Sequence, residues 1–84
     1  MAVTVKFNSS LKNYVTDNPD GITELINLDD CNLKGIIESF GIDFLDVGFC
    51  AINNRIVTKI DILKELVFVE DGDRVEVFSE MKGG

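Results

Sequence analysis

The sequence predicts an α+β fold in which one main helix packs against one mixed sheet. Three observations support this prediction. Apolar and polar residues alternate near both ends of the chain, one segment between them has apolar residues at helical spacing, and turn-forming residues separate these segments. Because 84 residues leave room for one core, we predict a single domain over residues 1–80 and a flexible tail over residues 81–84.

Two strands are predicted in the first third of the chain. Val3, Val5 and Phe7 alternate with polar residues, which is the period of a half-buried strand. Residues 22–28 alternate again and predict a second strand, antiparallel to the first. The pattern does not show which face of this second strand is buried. Between these strands, residues 17–21 combine Asp, Asn, Pro and Gly and predict a turn. A short helical turn fits residues 11–15.

The main helix is predicted to begin after residue 32. Asp29, Asp30 and Asn32 offer side chains that could cap its first turn. Gly41 supplies the glycine that commonly follows the end of a helix. The predicted apolar face consists of Leu33, Ile36, Ile37 and Phe40. This face predicts a helix that packs on the sheet by one side.

A hairpin and a short helix are predicted next. Residues 47–52 and 55–57 are rich in apolar and β-branched residues and predict two strands. Asn53 and Asn54 lie between them, and asparagine tolerates the positive φ that a tight hairpin turn requires. A short helix fits residues 60–63.

The last strand is predicted at residues 74–79, after a tight turn at residues 70–73. Side chains alternate between the two faces of a strand, so Val75 and Val77 should face the helix. Phe78 should then lie among charged residues on the open face of the sheet, where it is a candidate anchor for a partner. We expect the first and last strands to be central. The predicted core consists of Val3, Val5, Phe7, Leu33, Ile36, Ile37, Phe40, Val75 and Val77.

The composition argues against several classes of function. Fifteen acidic residues against eight basic ones give a net charge of −7, whereas nucleic-acid binding needs clustered Lys and Arg. Histidine is absent, which removes the commonest general base and metal ligand. No pair of carboxylates suggests a catalytic site. An acidic surface suits both solubility and attraction to a basic protein surface.

The two cysteines and the N-terminus indicate a cytoplasmic protein. Cys31 and Cys50 lie nineteen positions apart, which fits neither a redox pair nor a zinc site. Free cysteines are usually buried, so we expect two buried thiols in a reducing compartment. The first ten residues lack the apolar run of a signal peptide, and no stretch is long and apolar enough for a membrane span.

The sequence ends in Gly83-Gly84. Chain ends tolerate glycine, so the pair could have no functional role. A glycine pair is also the narrowest peptide available, and it can enter a tunnel in which any Cβ would collide. Four extended residues reach roughly 13 Å beyond the fold. The carboxylate at their end is ionised at pH 7 and could attack the α-phosphate of ATP held by another protein.

Several segments together resemble a known family. They are VTVKF at 3–7, LKGIIESFGI at 33–42, INNRIV at 52–57, EDGDRVEVF at 70–78 and the final glycine pair. In this order they resemble the MoaD/ThiS sulfur carriers, and the resemblance covers nearly the whole chain. It implies the β-grasp fold of ubiquitin. It also implies that the chain is a carrier or cosubstrate and not itself an enzyme.

The resemblance implies a chemical role for the C-terminus. An adenylyltransferase of the ubiquitin-activating type, MoeB/ThiF-like, would use ATP to adenylate the carboxylate of Gly84, which Gly83 precedes. A sulfurtransferase or sulfide would then convert the adenylate to a thiocarboxylate. The carrier itself would bind no cofactor. Phe78, Met81 and Lys82 are the residues that we expect to contact partners.

The resemblance leaves the sulfur acceptor open. Chain length and the long segment between the first two strands favour the MoaD type, in which the carrier is the small subunit of molybdopterin synthase and binds a MoaE-like large subunit. The tail has Ser79, Glu80, Met81 and Lys82 where small residues or proline are frequent in that type. A ThiS-like carrier for thiamine, or a carrier for tungsten-pterin or another sulfur pathway, is the alternative.

Two further classes of function are considered. A ubiquitin-like binding module without sulfur chemistry would not need the terminal carboxylate, so a longer tail would leave its function intact. An independent enzyme would need a pocket and activated groups, and the sequence offers no histidine and no plausible triad.

Overall fold

The structure is a computed structural model that describes residues 2–8, 11, 20–26 and 31–80. These residues form an α+β fold, as the sequence predicts. Its elements in chain order are β1 Ala2–Phe7, β2 Ile22–Ile26, α1 Leu33–Ser39, β3 Val47–Ile52, β4 Arg55–Val57, α2 Lys59–Leu63 and β5 Arg74–Ser79. A short 3₁₀ helix, Phe44–Asp46, precedes β3.

The five strands form one mixed sheet in the order β2-β1-β5-β3-β4. β1 pairs in parallel with β5, and the other neighbouring strands are antiparallel. The first and last strands are therefore interior strands, as predicted, and β5 is the central one. β2 is antiparallel to β1, and Leu25 packs against the core, which settles the facing that the sequence left open.

The core lies between the sheet and α1. Eight of the nine predicted core residues are buried, and the ninth, Phe40, is half-buried and packs against the others. Phe40 meets Phe7 edge to face, with ring centroids 4.8 Å apart and planes at 70°, a favoured aromatic geometry. The core also includes residues that the pattern did not single out, namely Leu11, Ile42, Val47, Cys50, Ile62 and Val69.

The predicted helix boundaries are confirmed in atomic detail. The Asn32 side chain accepts a hydrogen bond from the Lys34 amide, which caps α1. Gly41 follows the C-cap with φ of +77°, the left-handed conformation that favours glycine after a helix. The helical turn at residues 11–15, strand residues 27–28 and the caps Asp29 and Asp30 lie outside the described residues, apart from Leu11, which is buried.

The hairpin turn is tied to the start of β5. Asn53 and Asn54 have φ of 50° and 69°, as predicted for a tight turn. The Asn53 side chain donates to Asp73 at 2.8 Å and accepts from the Arg74 amide at 2.9 Å. Asp73 also accepts from the Glu70 amide, which closes the predicted turn before β5. These hydrogen bonds fix the position at which the central strand, β5, begins.

The second helix, α2, begins at its cap Thr58 and lies beside α1 and β3. Ile62 points into the core, whereas Ile60 and Leu63 are exposed. No helix among the described residues is long and apolar enough to cross a membrane.

Replacing Ile37 by alanine should destabilise the fold by about 2–5 kcal/mol, the usual cost of a large-to-small change in a core. Ile37 is 1% exposed, whereas Ile60 is 65% exposed, so Ile60→Ala is the matched control and should stay within about 0.5 kcal/mol of the parent. Thermal and urea unfolding of the three proteins measure both effects. Equal stability of Ile37→Ala and the parent would contradict the core assignment.

Candidate functional site

The predicted site lies where the chain leaves β5. Gly83, Gly84, Met81 and Lys82 lie outside the described residues, whereas Phe78 lies within them. What the structure describes is therefore the base from which the last four residues start. Three features define this base: the pairing of β5 with β3, a hydrogen bond at Glu80 and an aromatic pair.

The pairing of β3 with β5 contains a bulge beside the end of β5. Val47 is opposite Ser79 and Phe49 is opposite Phe78, so Gly48 is one extra residue on β3. Strict alternation would place the side chains at 47 and 49 on the same face. The bulge turns them to opposite faces, which buries Val47 in the core and brings Phe49 onto the open face.

The base of the tail is held by one backbone hydrogen bond beyond the sheet. The Glu80 amide donates to the carbonyl oxygen of Asp46 at 2.9 Å. Asp46 ends the 3₁₀ helix, whose first turn is capped by the Asp43 side chain, an acceptor from the Leu45 amide at 2.9 Å. The chain is thus fixed to the fold as far as Glu80, four residues before its carboxylate.

Phe78 lies on the open face as predicted, but it is half-buried and not fully exposed. The reason is Phe49, which stacks on it with ring centroids 4.6 Å apart and planes at 14°. Phe49 itself is 38% exposed. Phe49 was not predicted to lie beside Phe78, because the pattern of residues 47–52 does not show which face each side chain takes. Gly48 was the available signal, since a glycine inside a strand often marks a bulge.

The aromatic pair belongs to a larger apolar surface. Ala51 follows Phe49 on the same face of β3 and is paired with Ile56 of β4. Ile56 is 68% exposed. We call Phe49, Ala51, Ile56 and Phe78 the open-face apolar surface. It spans three neighbouring strands and reaches the end of β5 at Phe78, so it adjoins the base of the tail.

A second group of exposed apolar residues belongs to α2 and the segment after it. It consists of Ile60, Leu63, Leu66 and Phe68. Because α2 contacts α1, this group lies on the helix side of the sheet and is separate from the open-face apolar surface.

The two cysteines differ, and the expectation that both are buried is wrong for Cys31. Cys31 is exposed, whereas Cys50 is buried on β3. Burial raises the pKa of the Cys50 thiol to about 12, because the apolar surroundings disfavour the thiolate. Among the described residues, no group of three or more His, Cys, Asp or Glu could hold a metal ion.

The arrangement offers a contact surface beside a fixed chain end. Asp46 and Glu80, which share the hydrogen bond at this base, and Asp43, which caps the 3₁₀ helix, are acidic. The described residues thus offer a surface for contact next to the segment that ends in the C-terminal carboxylate.

Comparison with known proteins supports the fold. No known protein-family profile matches the sequence, and no curated protein matches it either. A chain in the solved protein–protein complex of subunits 1 and 2 of molybdopterin-converting factor from Helicobacter pylori is similar in structure, with a TM-score of 0.59 and 21% sequence identity. The similarity covers 100% of both chains. It shows a shared fold over the whole length and confirms the predicted β-grasp architecture.

Thiol labelling should separate the two cysteines. In the folded protein at pH 8, an alkylating reagent should modify Cys31 rapidly, whereas Cys50 should react only after unfolding because its thiol is buried and protonated. Mass spectrometry of the native protein should show one added group, and Cys31→Ser should show almost none. Rapid double labelling of the native protein would contradict the placement of Cys50.

Proposed function

We propose that this chain is a MoaD-like sulfur carrier in molybdopterin biosynthesis and that its working group is the carboxylate of Gly84. One observation carries the proposal. A chain that ends in Gly83-Gly84 shares its fold, over its whole length, with a chain of a molybdopterin-converting factor complex. The family resemblance of the sequence leads independently to the same chemistry.

The proposed reaction uses the C-terminus as a nucleophile. The ionised carboxylate attacks the α-phosphate of ATP and releases pyrophosphate, which leaves an acyl-adenylate at Gly84. Sulfide then attacks the carbonyl carbon and displaces AMP; where a sulfurtransferase persulfide attacks instead, the acyl disulfide that forms is cleaved by a second thiol of that enzyme, which ends as a disulfide. The product is a thiocarboxylate that donates its sulfur to the cofactor precursor.

The carrier supplies the reacting group, and its partners supply the catalysis. The adenylating partner would be a MoeB/ThiF-like adenylyltransferase that binds ATP. The acceptor of the charged tail would be a MoaE-like large subunit, and the Helicobacter pylori structure is itself a complex of subunits 1 and 2 of molybdopterin-converting factor. On this proposal the chain is a cosubstrate and binds no cofactor of its own.

The open-face apolar surface is the proposed docking site for these partners. Aromatic side chains are frequent energetic anchors of protein interfaces, and Phe78 and Phe49 are held in one orientation by stacking. Gly84 lies six positions after Phe78, which is a reach of roughly 20 Å. A partner that covers the aromatic pair can therefore hold the carboxylate in its own active site.

The open-face apolar surface also favours a second candidate, a binding module without sulfur chemistry. Such a module would use the same surface but would not need a free C-terminus. The two candidates therefore predict different effects for changes at Gly84 and the same effect for changes at Phe78. A ThiS-like carrier would share the chemistry at Gly84 and differ only in the acceptor.

Charging of the C-terminus tests the carrier function. With the cognate activating enzyme, ATP and a sulfur source, the parent should gain about 16 Da, the difference between one sulfur and one oxygen atom. A variant without Gly83 and Gly84, and a variant with one residue added after Gly84, should gain nothing, because the added residue moves the carboxylate by roughly 3.5 Å. Both should keep parental stability within about 0.5 kcal/mol. Intact-mass spectrometry measures the gain.

Complementation separates the two candidates. If the variant that lacks both glycines supports molybdopterin synthesis in cells as well as the parent does, the carrier proposal fails and the binding-module candidate replaces it. If the parent is charged but thiamine synthesis is the pathway that depends on it, the acceptor is the ThiS-like one.

Replacing Phe78 by alanine should weaken partner binding by about 2 kcal/mol or more, roughly thirtyfold in Kd. The fold should persist, because Phe78 lies outside the core and loses a stacking contact worth about 0.5–1.5 kcal/mol. Ile60→Ala removes an equally apolar but distant side chain and should bind like the parent. Titration calorimetry against the activating enzyme gives the comparison, and parental affinity of a folded Phe78→Ala protein would exclude the anchor role.

A further inference from the structure

We infer that Gly48 is a positioning residue for the proposed carrier reaction, because its missing side chain lets the base of the tail lie against β3 and so directs the terminal carboxylate. The inference rests on the proposed function. It goes beyond the docking surface, since Gly48 offers a partner nothing to bind.

The space at Gly48 is filled by the chain's own backbone. A Cβ at this position would lie 3.0 Å from the carbonyl oxygen of Ser79, 3.1 Å from the Cα of Glu80 and 3.3 Å from the Glu80 nitrogen. All three are backbone atoms, so no side-chain rotation can relieve the contacts. Gly41 and Gly72 have positive φ, whereas Gly48 does not. Glycine is therefore favoured at residue 48 by the space available and not by backbone conformation.

The contacts at Gly48 adjoin the hydrogen bond that fixes the tail. The Glu80 amide that would meet the added Cβ is the donor to the Asp46 carbonyl at 2.9 Å. A side chain at residue 48 must push residues 79 and 80 away from β3, which lengthens or breaks this bond. Alanine requires a shift of a few tenths of an ångström, and the branched side chain of valine requires more.

This shift acts on the direction of the tail and leaves the docking surface in place. Phe78 is held by its strand pairing and by Phe49, so a partner can still bind. The last four residues then start from a displaced base, so on this inference the carboxylate meets the α-phosphate of ATP in the correct position less often. A misplacement of about 1 Å can reduce a reaction rate by on the order of a hundredfold. The defect should therefore appear in kcat and not in KM.

The test is ATP–pyrophosphate exchange by the cognate activating enzyme, measured against the concentration of the carrier. Gly48→Ala should lower kcat several-fold and Gly48→Val by on the order of a hundredfold, with KM within about twofold of the parent. The matched control is Gly72→Ala, which strains a φ of +86° but meets nothing within 4 Å. It should lose stability and keep the parental kcat.

A second measurement follows the base of the tail directly. Hydrogen exchange of the Glu80 amide, observed by NMR, should be faster in Gly48→Ala than in the parent and unchanged in Gly72→Ala. This readout does not depend on any enzyme, and Gly48→Ala serves if the valine variant fails to fold.

The outcomes separate this inference from the proposed function. If the parent supports exchange and folded Gly48→Ala and Gly48→Val proteins keep its kcat, the inference is wrong and the proposed function stands. A change confined to KM, or an equal loss of kcat in Gly72→Ala, also overturns it, because Gly48 would then act on docking or on stability alone. If the parent itself supports no exchange and gains no sulfur, the proposed function fails and the inference with it.

Discussion

The parallel pairing of β1 with β5 is the interaction on which the remaining structure depends. It joins the two ends of the chain, with Val5 beside Val75 and Phe7 beside Val77, all four fully buried. Each of the two flanking antiparallel pairs, β1 with β2 and β3 with β4, would be marginally stable alone. β5 lies between them, and its valines complete the surface on which α1 packs. The fold therefore closes only when the last strand is in place.

The position of β5 has a consequence for the proposed carrier function. β5 is paired with a strand on each side, and it leads directly into the residues that end in the carboxylate proposed to react. A tail that must enter another protein has to be thin, but its starting point gains from being rigid, because a fixed start reduces the conformational entropy that binding must overcome. Ser79, at the end of the final strand, and the hydrogen-bonded Glu80 after it supply that rigid start. Neither adds bulk to the tail itself.

Most of the fold could be predicted from the sequence because its patterns are local. Alternation at Val3, Val5 and Phe7 and the asparagine pair at Asn53-Asn54 each determine one element through nearby residues, and the structure confirms both. Eight of the nine predicted core residues are buried for the same reason, whereas six further core residues were not singled out. Strand order was not readable from these patterns, although the strong apolar alternation of the first and last strands indicated correctly that they are interior.

The errors have two different causes. Cys31 is flanked by Asp30 and Asn32 and is exposed, whereas Cys50 lies between Phe49 and Ala51 and is buried. The polar neighbours of Cys31 were a local signal against burial, and the general expectation that free thiols are buried overrode it. At the candidate site, the glycines at the chain end were evident from the sequence, whereas Phe49 depended on a register shift between two strands.

The bulge at Gly48 links the two properties that the proposed carrier needs. By adding one residue to β3, it turns Phe49 onto the open face, where stacking on Phe78 creates the aromatic part of the docking surface. By lacking a side chain, the same residue leaves room for the backbone of Ser79 and Glu80. A binding module would require only the first effect, which any residue able to form a bulge could provide. The need for glycine comes from the second effect, since bulge geometry without positive φ does not require it. The close contact between Gly48 and the end of β5 is thus the feature by which the proposed carrier would differ from a protein that only binds.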